Sequence, residues 1–157
     1  GDVTGATLGL IGLGRIGRAM VARAKGFEMD VIYWNRTRLS ESEEASLGVT
    51  YCELNDVLRK GDYVSLHVAL NDQTKHLIGS AELSLMKPTA CLVNTARGPV
   101  VDEDALFEAL ASGRLFAAGH RKVKDNGDQS GKGQCRKRND VLEQGPAFPG
   151  GWIFRDQ

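Results

Sequence analysis

The sequence predicts an α/β fold: a doubly wound parallel sheet, incomplete, with an irregular C-terminal tail. Three observations predict it. Strand and helix patterns alternate from residue 7 to about 118, the order that buries a parallel sheet beneath helices on both faces. Gly12, Gly14 and Gly17 fall between the first apolar run and the first helical pattern. After residue 119 the alternation stops.

The elements follow in order. Thr7 to Ile11 is a buried strand, and Ile16 to Lys25 is a helix that Gly26 ends. Val31 to Trp34 is the second strand. Ser40 and Glu43 have capping-box spacing before a short helix that Gly48 closes. Val49 to Tyr51 is a short strand, and Leu54 to Lys60 a short helix stopped by Gly61. Tyr63 to Val68 is rich in β-branched and aromatic residues and reads as a strand. Asn71 to Thr74 is a turn, Ser80 to Met86 is helical, and Ala90 to Asn94 is a strand with Cys91 in the core. Asp102 caps a helix whose first turn carries Glu103 and Asp104. Leu106 and Leu110 share one face of it, and Gly113 terminates it; the segment Asp102 to Gly113 suits a core helix or a subunit interface equally. Leu115 to Ala118 begins a last strand, and the expected strand order is 3-2-1-4-5-6. From His120 the text is polar, basic and glycine-rich with no period, which predicts a disordered or loosely attached tail.

Composition narrows the function classes. The 157 residues fit one domain. Twenty basic and twenty acidic residues give zero net charge, which offers no support for nucleic-acid binding, and Arg136-Lys137-Arg138 reads as solvated tail. No apolar run has the length of a membrane span. Cys52, Cys91 and Cys135 have no metal-ligand spacing, so no metal site is expected. Free thiols in a reducing, cytoplasmic setting are expected instead. Gly1 in place of Met is expected of a piece of a longer product or of a trimmed chain.

The glycines carry the strongest chemical signal. Strand, Gly-x-Gly-x-x-Gly and helix together mean dinucleotide binding. Gly12 permits the turn, Gly14 lets backbone approach a pyrophosphate, and Gly17 lets helix and strand pack. The phosphate charge then meets the N–H groups of the helix N-terminus. An acidic residue is expected at the end of the second strand to hold the ribose hydroxyls. Asn35 stands there, followed by Arg36, Thr37 and Arg38. The missing carboxylate and the two arginines favour NADP over NAD.

Substrates gather beyond the carboxyl ends of the strands in such sheets. Arg97 follows the strand Ala90 to Asn94 there, where a fixed cation can bind a carboxylate and polarise a neighbouring carbonyl. His67 ends its strand and can face the cofactor. It is not assigned acid–base work, and His76 reads as surface. The regular part of the chain supplies no evident proton donor for a new alkoxide.

Three segments identify a family. They are Gly9 to Arg18 with Asn35-Arg36-Thr37, then Gly61 to His67 through Leu77-Ile78-Gly79, then Leu85 to Pro88 through Asn94-Thr95-Ala96-Arg97-Gly98-Pro99 to Leu106. Over residues 1 to 119 the chain resembles the NAD(P)-binding Rossmann domain of the D-isomer-specific 2-hydroxyacid dehydrogenases, most closely the glyoxylate/hydroxypyruvate reductase branch. The resemblance implies a two-domain, usually homodimeric oxidoreductase that reduces small 2-oxo acids to D-2-hydroxy acids. It makes Arg97 the residue that binds the substrate's carboxylate and carbonyl. It places Arg15 and Ile16 at the pyrophosphate, Asn35, Arg36 and Thr37 at the ribose, and Thr95 and Ala96 at the nicotinamide. The family continues Ala117-Ala118-Gly119 with Leu-Asp-Val, whereas this chain has His120, Arg121 and Lys122. The family's catalytic Glu and His find no matching context in 120–157. Neither does its substrate domain, built from both ends of the family chain. Residues 120–157 are therefore set apart as an atypical, disordered or frame-shifted tail, and the isolated chain is expected to be inactive. The alternative is a non-catalytic dinucleotide-binding or regulatory module.

Overall fold

The computed structural model of the protein describes residues 3–120 and 152–154. The strands are β1 (Thr7–Ile11), β2 (Asp30–Trp34), β3 (Thr50–Tyr51), β4 (Tyr63–Leu66), β5 (Cys91–Asn94), β6 (Ala117–His120) and β7 (Trp152–Phe154). Between them run α1 (Arg15–Gly26), α2 (Glu41–Leu47), α3 (Leu54–Lys60), α4 (Ser80–Leu85) and α5 (Glu103–Ala111), with a 3-10 turn over Gly98–Val100. The sheet order is β3-β2-β1-β4-β5-β6-β7. The first six strands pair in parallel in the expected order. β7 adds an antiparallel edge, with Ala118 opposite Ile153. The sequence reading placed that segment in the irregular tail, although Trp, Ile and Phe are all strand-favouring residues. The rest of the predicted tail lies outside the described residues.

Alternation along the strands explains why both faces need cover. Leu8 and Leu10 of β1 and Val31 and Tyr33 of β2 enter one core with Val21 and Ala24 of α1. Ile11, Val64, Leu66 and Leu92 enter the other core with Val57, Leu83, Leu106 and Leu110 from α3, α4 and α5. Each buried Leu or Ile contributes about 2 kcal/mol relative to exposure. Gly9 has a packing role: a Cβ there would sit 2.7 Å from Val57 Cγ1, so α3 lies directly on β1.

Local signals set most boundaries. Ser40 and Glu43 form the predicted capping box, and Gly48 closes α2 in the left-handed region. Asp102 accepts from the N–H groups of Asp104 and Ala105 at the start of α5. Some details of the sequence reading are corrected by the structure. α1 includes Gly26 and is capped at Phe27, and the left-handed residue that turns the chain is Glu28, with φ 54°. β4 stops at Leu66, before His67 and Val68. Cys91 is half-buried rather than in the core, because its side chain alternates away from Leu92. The face of α5 that carries Leu106 and Leu110 packs into the core. Among the described residues no helix is long and apolar enough to cross a membrane.

Candidate cofactor and substrate site

The loop after β1 is built from three glycines under different constraints. Gly12 has φ +97°, and a Cβ there would stand 2.8 Å from the carbonyl carbon of His67. Its N–H donates to Trp34 C=O at 2.9 Å, so the turn is tied to the ends of both neighbouring strands. A Cβ on Gly17 would meet the carbonyl oxygen of Gly12 at 2.5 Å, which is how closely α1 seats against the turn. A Cβ on Gly14 would meet nothing within 4 Å. Gly14 is the N-cap of α1, and no side chain caps that helix. Open space above uncapped helical N–H groups fits an anionic group, and a pyrophosphate suits it. Arg15 and Ile16 flank this opening, both exposed, with Ile16 at 62%.

At the end of β2, Asn35 joins two loops. Its Oδ1 accepts from Leu13 N–H at 3.4 Å, and its Nδ2 donates to Thr37 C=O at 3.1 Å. Arg36 and Thr37 are exposed. Arg36 makes a long 3.5 Å contact to Gln73. Arg38 departs from the sequence reading, which offered it to a 2′-phosphate. Its guanidinium makes two 2.8 Å hydrogen bonds to Glu44 and lies 5.2 Å from the ring centroid of Tyr51. The same Glu44 accepts from the buried Tyr33 hydroxyl at 2.7 Å, and that hydroxyl accepts from Leu39 N–H. The Arg38 guanidinium, with help from Tyr33, pulls the Glu44 carboxyl down to about 2. Burial, and then the bond to Glu44, raises the Tyr33 hydroxyl.

Arg97 stands on the loop after β5, exposed, with one guanidinium nitrogen donating to Ala96 C=O at 2.8 Å. Thr95 beside it is exposed and Ala96 half-buried. Asn94, 1% exposed, organises this loop from beneath. Its Oδ1 accepts from Ala96 N–H at 3.2 Å, and its Nδ2 donates to Arg97 C=O at 2.9 Å. On its far side lies His120 Nδ1 at 3.4 Å, and His120 Nε2 is 3.1 Å from Glu103 Oε1.

The predicted residues Gly12 to Gly17, Asn35 to Thr37, His67 and Thr95 to Arg97 follow β1, β2, β4 and β5. These strands are parallel, so their loops share one edge of the sheet. The direct contacts are narrower: Gly12 against the His67 backbone, and Leu13 with Asn35. The His67 ring is half-buried, bonds Ser65 Oγ at 3.0 Å, and is held toward its neutral form by burial. His76 is exposed, as read. Sequence reasoning missed Tyr33, Glu44, Asn94 and His120 as organisers of the two loops. For Asn94 a signal existed, a polar residue ending an apolar strand. For Glu44 none did, because its partners come from a different element. Among the described residues no group of His, Cys, Asp or Glu could hold a metal ion.

Residues 1–123 match the model of the D-isomer specific 2-hydroxyacid dehydrogenase NAD binding domain. A glyoxylate reductase of Thermococcus litoralis is 51% identical over 115 residues, 73% of this chain and 34% of that protein. A crystal structure of a glyoxylate reductase from Paecilomyes thermophila superposes with a TM-score of 0.74 at 41% identity, covering 80% of this chain and 38% of that one. The NAD-complexed D-isomer specific 2-hydroxyacid dehydrogenase of Lactobacillus delbrueckii ssp. bulgaricus superposes at 0.69 with 36% identity, covering 75% of this chain and 35% of that one. The chain thus spans a little over a third of the length of these relatives. With its β1-glycine-α1 turn, its six parallel strands and this match over most of its length, the chain belongs to the D-isomer specific 2-hydroxyacid dehydrogenases, through their NAD-binding domain.

Proposed function

We propose that this chain is the cofactor-binding part of a reductase that converts a small 2-oxo acid, of the glyoxylate or hydroxypyruvate type, to a D-2-hydroxy acid with NADP(H). The observation that carries this reading is the exposed Arg97, at the same sheet edge as the open space over Gly14. When bound, the nicotinamide group supplies or accepts a hydride. The chain's own residues bind and orient. Gly14, Arg15, Ile16 and Gly17 present helical N–H groups to the pyrophosphate, and Gly12 shapes the turn beneath them. Asn35, Arg36 and Thr37 take the adenosine ribose. Because Arg38 is committed to Glu44, preference for the 2′-phosphate rests on Arg36 and on the absence of a carboxylate at position 35. His67, Thr95 and Ala96 line the nicotinamide end. The Arg97 guanidinium pairs with the substrate carboxylate and polarises its carbonyl.

No described histidine is assigned as proton donor: His67 is bonded to Ser65, His120 lies buried on Asn94 and Glu103, and His76 is exposed, its backbone N–H donating to Pro99 C=O. A chain that binds cofactor and turns over little or nothing follows from this. The unpaired Cys52 and Cys91 suit a reducing compartment such as the cytoplasm.

The test is titration of the purified chain with NADPH and NADH, followed by glyoxylate. Saturable binding is expected, tighter for NADPH. Arg36→Ala should cut that preference about tenfold, the worth of one charge-assisted contact. Oxidation of NADPH with glyoxylate should match the buffer blank. Absence of saturable binding to either nucleotide overturns the reading. Turnover above the blank overturns the expected inactivity.

A further inference from the structure

We propose that His120 is a positioning residue for the Arg97 loop, acting through Asn94; the consequence for substrate binding rests on the role proposed above for Arg97. The family resemblance supplies Leu at position 120, so this is a property of the present chain.

The geometry fixes the chemistry of the ring. His120 is 6% exposed, at the end of β6, opposite Asn94 of β5. The Asn94 amide has one possible orientation. Its oxygen receives the Ala96 N–H, and its nitrogen faces the carbonyls of Arg97 and Gly98 at 2.9 and 3.4 Å. The atom turned toward His120 Nδ1 is therefore a donor, and Nδ1 must accept. The imidazole proton then sits on Nε2 and points to the Glu103 carboxylate at 3.1 Å. A chain of hydrogen bonds runs from the start of α5, through β6 and β5, to the backbone on either side of the Arg97 side chain.

This arrangement has a built-in sensitivity. A proton on Nδ1 turns the acceptor into a donor that faces the Asn94 N–H. The Asn94 amide cannot answer by flipping. A flip would take Oδ1 from Ala96 N–H and aim it at two carbonyl oxygens. Acid therefore loosens Asn94 and, with it, residues 95–98. Among the described residues, the groups bonded to the His120 ring are Asn94 from β5 and Glu103 from α5. From the Arg97 loop it is the backbone carbonyl of Gly98, not the guanidinium, that lies alongside. Asn94 is neutral and Glu103 is a carboxylate, so no cation stands among these groups.

The experiment is NMR on the isotopically labelled 157-residue chain. Long-range nitrogen–proton correlations should show the Nε2–H tautomer of His120. The Asn94 side-chain amide and the Ala96, Arg97 and Gly98 backbone amides should shift together with the imidazole, at its own measured midpoint. His120→Phe should abolish that shared titration and speed amide exchange at Ala96 several-fold, up to about tenfold, as loss of one hydrogen bond permits. An Nδ1–H tautomer, or loop amides that ignore the imidazole midpoint in the unaltered chain, overturns the proposal even if the Phe variant does not fold. A parallel titration with glyoxylate, using Arg97→Met as control, reads the other assumption separately. No binding there refutes the role of Arg97 and leaves the His120 result standing.

Discussion

Gly14 and Gly17 separate nucleotide binding from folding at the scale of single residues. The two lie three positions apart and face opposite surroundings. Gly17 presses on the carbonyl of Gly12, whereas Gly14 faces open space. Gly17→Ala should therefore lower stability by about 2 kcal/mol, since a backbone carbonyl cannot step aside as a side chain can. Gly14→Ala should cost no more than about 1 kcal/mol, the difference between glycine and alanine as an N-cap, yet weaken NADPH binding at least about tenfold by placing a methyl where the pyrophosphate approaches. Thermal melts with and without nucleotide separate the two. Equal melting losses for both variants would refute the division. The glycine spacing and a separate role for each of the two were read from the sequence. The structure adds what each faces, the Gly12 carbonyl for Gly17 and open space for Gly14.

At the scale of elements, short helices serve here by what their first turns hold. α5 is begun by Asp102, which accepts from two backbone N–H groups. The N–H of Asp102 itself bonds Ile78 C=O at 2.9 Å. Asp102→Ala should destabilise the fold by about 1 kcal/mol, the ordinary worth of an N-cap. Chemical denaturation at neutral pH would measure it, and no change would mean that the backbone bond to Ile78 suffices. α2 shows how far such devices can be read in advance. Its capping box and closing glycine were visible as Ser40, Glu43 and Gly48. Glu44, one residue along, was not visible as the anchor of the loop after β2. Its link to Tyr33 and Arg38 depends on β2 and α2 lying side by side. The Arg36-to-Arg38 segment accordingly appeared as two free cations, and the fold leaves one of them committed.

For the whole molecule, carboxylates bind the sheet's two halves and set its response to acid. Glu44 joins α2 to β2. Asp62 joins the start of β4 to Lys87 before β5 at 2.7 Å, and it accepts from Thr7 N–H of β1 at 2.9 Å. Lys87 first, then the Thr7 N–H, hold Asp62 below the usual carboxylate range. Glu44 falls from 4.5 to about 2, chiefly through Arg38. Both groups ionise more readily folded than unfolded. Their stabilisation is therefore present above the ordinary carboxylate range and is lost as pH falls through the lowered values. Stability should decline steadily from about pH 4.5 towards pH 2, and Glu44→Gln should flatten that decline. Denaturation midpoints against pH would check it, and parallel curves for the two proteins would refute it. Legible from the order of amino acids were the repeating strand–helix pattern, the parallel sheet and its order through β6, the glycine turn and the place of Arg97 beyond the strand ends. Those follow from periodicity, capping and turn chemistry within a few residues. The tertiary structure alone decided that β7 closes the sheet edge in antiparallel fashion, that Arg38 is taken by Glu44, and that Asn94 and His120 lie beneath Arg97. Each of these joins residues remote in sequence, whose proximity exists only once the strands have paired.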